Sequence, residues 1–166
     1  MKRKHGFTLI EILIVMLIIS IVSGVAILSI THNQQKQLEQ TAKKLARLIT
    51  LADDEAMLKP ATLGLGFSQT GYQFFHYEPS ENEEDNHWKP LEDRHFGLQA
   101  LPANVQIRIL IEDHEMPLNG QPQIIISESG DITPFVLLIG KSGENPAYQV
   151  LSTAEGEVKS EPVDEK

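Results

Sequence analysis

The chain of 166 residues has no cysteine, and it has no proline before position 60. The first absence excludes a disulfide framework, a thiolate nucleophile and any cysteine-based metal site, so the folded part must be held by packing alone. The second leaves Phe7 to Lys59 free to form one helix of up to about 53 residues, with Gly24 as its soft point. Cations are also scarce. Fourteen Lys and Arg stand against 23 Asp and Glu, for a formal charge of −9, and none of the cations lies between Phe7 and Thr31. Such a surface repels phosphate backbones, and no nucleic-acid partner is expected.

What is present begins at the N-terminus. Lys2, Arg3 and Lys4 precede Gly6 and Phe7, and from there the chain stays apolar to Ile30 except for Glu11 and small or hydroxylated residues such as Ser20, Ser23 and Ser29. As a helix, Ile12 to Ile30 would reach roughly 28 Å, about one hydrocarbon core, with the basic leader held on the cytoplasmic side. Everything after the span is then expected outside the cytoplasm. A carboxylate at the head of such a helix costs about 3 kcal/mol to insert, so Glu11 needs a partner. A cut after Gly6 would create one, the new amine of Phe7, about one helical turn away in the same chain or in a neighbour. Loss of Lys2, Arg3 and Lys4 would also take the formal charge from −9 to −12.

The basic leader, the glycine, the aromatic after it and the glutamate five residues past the glycine together resemble the class III leader of type IV pilins and pseudopilins. The resemblance implies cleavage of the Gly6–Phe7 bond by a prepilin peptidase, N-methylation of Phe7, and a role for Glu11 in assembly. A secretory signal peptide would share the basic start, but it would not place a glutamate there, and Ser23-Gly24-Val25-Ala26 is a poor cleavage site. A plain signal anchor with an incidental Gly-Phe is the other reading.

Beyond the apolar run, Leu38, Ala42, Leu45, Ile49, Ala52 and Ala56 alternate spacings of four and three, which draws one apolar helical stripe. Lys36, Glu39, Gln40, Lys43, Lys44 and Arg47 occupy the other face. After Pro60 the period becomes two. Leu63, Leu65 and Phe67 lead through Ser68-Gln69-Thr70-Gly71 to the aromatic run Tyr72 to Tyr77, which predicts a hairpin. Further strands are expected over Phe96–Leu101, Val105–Ile111, Gln123–Ser127, Thr133–Ile139 and Ala147–Leu151, with turns at Pro102-Ala103-Asn104, Asn119-Gly120 and Ser129-Gly130-Asp131. The acidic stretch Glu78 to Asp93 reads as a long exposed loop pinned by Trp88, and 155–166 as a flexible acidic tail.

Gly64-Leu65-Gly66-Phe67, Gly71-Tyr72-Gln73-Phe74, Trp88-Lys89-Pro90-Leu91 and above all Ser129-Gly130-Asp131-Ile132-Thr133-Pro134-Phe135 resemble the H-type minor pseudopilins of type II secretion, grouped with the FimT-like minor pilins. That resemblance implies an α+β pilin-like fold, in which a long N-terminal helix, transmembrane and then amphipathic, packs on an antiparallel β-sheet or sandwich head. The implied divisions are leader 1–6, transmembrane helix 7–30, amphipathic helix 31–59, periplasmic head 60–154 and tail 155–166. It further implies a non-enzymatic subunit without a cofactor, anchored in the inner membrane. Its partners would be other major and minor pseudopilins, the prepilin peptidase and the inner-membrane secretion platform.

Other motifs fail on spacing. Gly140-Lys141-Ser142 would need a glycine where Phe135 stands to close a phosphate loop. Ser68 sits in a glycine frame one residue too long for a nucleophile elbow. His76, His87 and His95 match no metal spacing, and Glu81, Glu83, Glu84 and Asp85 lack the order of a calcium loop. Two rivals stay open: a FimT-like minor pilin of a type IV pilus, for adhesion or DNA uptake, and a monomeric membrane-anchored receptor or enzyme. The acidic head disfavours DNA.

Overall fold

The computed structural model describes residues 8–80, 87–153 and 156–164, and over 24–32 it describes the helical backbone alone. The chain divides into two units, Met1–Gln37 and Leu38–Lys166.

Helix α1 runs over Leu9–Leu58, uninterrupted at Gly24. Its end follows from Pro60, which disfavours helical geometry at Lys59. Two of the last four carbonyls are still satisfied, because Lys59 N–H donates to Glu55 O (2.9 Å) and Ala61 N–H to Ala56 O (3.2 Å). Among the described residues no helix is long and apolar enough to cross a membrane, and the side chains of 24–30, within the expected span, are not among them.

In the second unit the stripe Leu38, Ala42, Leu45, Ile49, Ala52 and Ala56 is buried as its spacing predicts. It joins one core with two five-stranded sheets, all of whose pairings are antiparallel. The first sheet contains β1 (Leu63–Ser68), β2 (Gly71–Tyr77), β3 (Trp88–Pro90), β4 (Gln99–Ala100) and β7 (Asn119–Ile126), in the order β3-β2-β1-β7 with β4 also on β2. The second contains β5 (Val105–Ile111), β6 (His114–Met116), β8 (Val136–Lys141), β9 (Pro146–Ser152) and β10 (Val158–Pro162), in the order β10-β9-β8-β5-β6. In β5 the alternation is clean, with Val105, Ile107 and Ile109 inward and Gln106 and Arg108 outward.

Ser68 closes the β1–β2 turn by accepting from Gly71 N–H and donating to Gly71 O, both at 3.1 Å. Where the β1–β7 register shifts, the Gln123 side chain accepts the Phe67 N–H (2.9 Å) and donates to Pro117 O (2.7 Å), supplying bonds that the interrupted ladder omits.

Several expected boundaries are corrected. Trp88–Pro90 is not part of a loop but a strand on β2, and 81–86, with the acidic cluster, lie outside the described residues. The Trp88 ring reaches across the sheet: a Cβ added at Gly64 would come within 2.8 Å of it and 2.7 Å of Pro122, so glycine makes room for the indole. Of Phe96–Leu101 only Gln99–Ala100 is strand, because Phe96 instead fills the core edge-to-face against Phe74 at 5.0 Å. Asn119-Gly120 opens β7 rather than a turn, and β6 was not anticipated. The expected flexible tail 155–166 contains β10, which pairs with β9 from Val158↔Ser152 to Pro162↔Tyr148. Five residues of low hydropathy carry little strand signal, yet Val158 finds cover against the core while Lys159 and Glu161 point to water.

Candidate assembly site

The site expected from the sequence is the start of α1. Gly6 and Phe7 lie outside the described residues, whereas Glu11 occupies the first helical turn and is exposed. Thr8 caps the helix: Glu11 N–H donates to Thr8 Oγ1 (3.3 Å) and to Thr8 O (3.1 Å), and Ile12 N–H to Thr8 O (3.3 Å). Thr8 is therefore a positioning residue that the sequence reading passed over. Its signal was present, since Thr-x-x-Glu ahead of an apolar run is the spacing of a capping box. The cap fixes where the helix begins and so places Glu11 in its first turn. Negative charge in a first turn is also favoured by the helix dipole.

Around this carboxylate the helix is apolar on every side. From Leu9 to Val22 the large hydrophobic side chains are exposed, Leu9 at 88%, and among the described residues the Glu11 carboxylate has no ion pair. A helix apolar all round requires an apolar surrounding, lipid or neighbouring helices. Ser20 conforms to this, because its hydroxyl donates back to Met16 O (2.8 Å) and so is satisfied within the helix. Chemically, such a segment can pair with a cation and bury itself.

The other sites considered fall apart in space or into local roles. His76 Nε2 lies 2.6 Å from Glu78 Oε1, and His87 Nδ1 accepts from Ser80 N–H (3.2 Å), but His95 takes part in neither contact. Among the described residues no group of three or more histidines and acids is placed to hold a metal ion. Gly140-Lys141 ends β8 and Ser142 opens the β8–β9 turn, closed by Glu144 N–H on Lys141 O (3.1 Å).

The Thr133-Pro134-Phe135 element has a structural role that the sequence did not disclose. Thr133 N–H donates to Ile125 O (2.9 Å) and its hydroxyl accepts Ile125 N–H (3.1 Å), which ties it to the first sheet. Two residues on, Phe135 is buried, its N–H donates to Ser152 Oγ (3.1 Å) and its carbonyl accepts Ser152 N–H (3.3 Å), which ties it to the second. Thr-Pro-Phe is the corner at which the chain changes sheets. Gly130 (φ +85°) makes the turn before it, against Met57 of α1, where a side chain would be strained.

Residues 1–27 match the prokaryotic N-terminal methylation motif. The type II secretion system protein H of Pseudomonas aeruginosa is 32% identical over 157 residues, spanning 86% of this chain and 87% of that protein. The protein of the same name from Escherichia coli is 25% identical over 145 residues, 86% of this chain and 85% of that one. Among solved structures, the minor pseudopilin EpsH from the type 2 secretion system of Vibrio cholerae shares the fold with a TM-score of 0.64, covering 75% of this chain and 94% of that one at 17% identity. With a methylation motif at its start, a pseudopilin head behind it, and 32% identity across most of both chains, this chain belongs to the type II secretion system protein H family, the H-type minor pseudopilins.

Proposed function

We propose that the chain works by assembly rather than by catalysis, as a processed subunit in the tip region of a periplasmic pseudopilus that supports export of folded proteins across the outer membrane. Residues 1–6 are removed at Gly6–Phe7, Phe7 is N-methylated, and 7–30 hold the subunit in the inner membrane until it enters the filament. Glu11 then pairs with the Phe7 amine of an adjacent subunit. The β-rich head faces the periplasm, where it meets other pseudopilins. One observation carries this reading: an exposed carboxylate in the capped first turn of a helix whose described side chains around it are apolar on all sides. That carboxylate is costly in an apolar surrounding unless a cation is brought to it, and cleavage supplies the cation. Mass spectrometry of the chain co-expressed with a prepilin peptidase tests it. The mature chain is expected to begin at N-methyl-Phe7, and Gly6→Val to block the cut; an intact Met1, or a cut near Ala26, overturns the proposal.

A further inference from the structure

A second contact surface lies on the head. A groove of about 310 Å³ runs between the outer flank of α1 and strand β10, lined by Ala46, Arg47, Thr50, Leu51, Asp54 and Val158. Its lining is mainly apolar, Leu51 is 42% exposed, and opposite charges stand at its two ends. Elsewhere on the same stretch of helix three lysines have partners within the chain, whereas Asp53 Oδ1 is buried without one among the described residues. Lys43 pairs with Glu39 and Lys59 with Glu55, while Lys44 bonds Gln99 Oε1 (3.2 Å) and lies over the Tyr72 ring. Among the described residues Arg47 and Asp54 have no ion pair and no hydrogen bond through their side chains.

Arg47 and Asp54 are seven residues apart, two turns, so they share one face of α1 about 10.5 Å apart with Leu51 between them. A ligand must bring an acid to one end, a base to the other and an apolar side chain to the middle. A β-strand covers that distance in about three residues, and residues three apart point to opposite faces. A helix covers it in seven and presents both charges on one side. Orientation selects further. The assembly reading above anchors each subunit in one membrane in the same orientation, so a partner's helix runs parallel to α1. In a parallel pair the partner must carry its acid before its base. A second copy of this chain carries base before acid, and makes both pairs only when antiparallel, in an isologous contact.

We propose that this groove docks the head helix of a different pilin-like subunit, parallel to α1, with an acid against Arg47, a base one heptad later against Asp54, and an apolar side chain over Leu51. The inference rests on the assembly reading above. It is tested in the full chain, in membranes that hold the other pseudopilins. Because the chain has no cysteine, Thr50→Cys gives a single attachment point for a photoactivated maleimide cross-linker. The expected product joins this chain to another leader-cleaved pilin-like subunit, identified by mass. Arg47→Glu and Asp54→Lys each lower its yield about fivefold, while Arg108→Glu, on the outer face of β5, leaves it unchanged. Equal yields in all three variants overturn the proposal, as does capture of a second copy alone. If Thr50 captures nothing although the leader is cut and Glu11→Val still blocks assembly, the groove proposal fails by itself; an uncut leader removes the reading on which it rests.

Discussion

Tyr72 carries its hydroxyl into the core without a hydrogen-bond partner among the described residues, beside Phe67 at 5.9 Å between ring centroids. Burial pushes its pKa up to about 12. The folded state therefore keeps the phenol protonated where the unfolded chain ionises it, and stability falls as pH rises from about 10 through about 12. Tyr72→Phe is expected to change stability at neutral pH by less than about 1 kcal/mol, since no bond is lost, and to remove this alkaline loss. Denaturant titrations at pH 7 and 11 check both halves. At Glu11 the expected effect is on assembly. If Glu11 pairs with a neighbour's amine as proposed, Glu11→Val makes the isolated helix easier to insert and leaves that amine without its counter-charge, so processed monomer should accumulate in the inner membrane while cross-links to other pseudopilins and secretion both fall. Wild-type cross-linking with full secretion would take Glu11 out of the mechanism and leave the apolar helix surface as the assembly determinant.

At the scale of elements, β10 is the strand whose removal is most informative. It covers the β9 edge, places Val158 against the core and forms one wall of the α1 groove. Truncation after Glu157 would be silent if 158–166 were a loose tail. With the strand in place, the loss of its pairing and of the half-buried valine is expected to cost about 1–3 kcal/mol, read as a lower denaturation midpoint, and to expose a new edge prone to self-association. β3 illustrates the converse case. Its three residues have almost no strand signal of their own, but Trp88 lies over Gly64 and meets Tyr77 edge-on at 5.3 Å, and those contacts hold the backbone on β2.

At the scale of the whole molecule, one core joins the helix stripe to both sheets, through Leu45 and Ile49 from α1, Leu65 and Phe74 from the first sheet, and Ile107 and Ile139 from the second. Leu45→Ala and Ile139→Ala therefore delete methyl groups from the same interior, although they lie in different elements. Each is expected to cost about 2–5 kcal/mol and to lower one cooperative transition of the head, seen alike by circular dichroism and by Trp88 fluorescence. Separate transitions for helix and strands would show two cores. The absence of cysteine means that the transition should be indifferent to reductant.

Much of this protein is legible along the chain, because the signals are local. The apolar run with its lone glutamate, the four-and-three stripe from Leu38 to Ala56, the period-two alternation of β5 and the Ser68–Gly71 turn each depend on residues within one or two turns of one another. Thr8 was equally legible as the cap of the Thr-x-x-Glu box. Other features required the tertiary structure. That Thr133-Pro134-Phe135 passes the chain between sheets depends on Ile125 and Ser152, and that 158–162 is a strand depends on β9 offering an unpaired edge and the core a place for Val158. Likewise, Arg47 and Asp54 are ordinary helix-surface charges until β10 closes a groove between them. The physical reason is the same in each case: hydrogen bonds and apolar cover supplied by residues distant in sequence can outweigh a weak local preference, whereas helix periodicity and turn chemistry are written into neighbours.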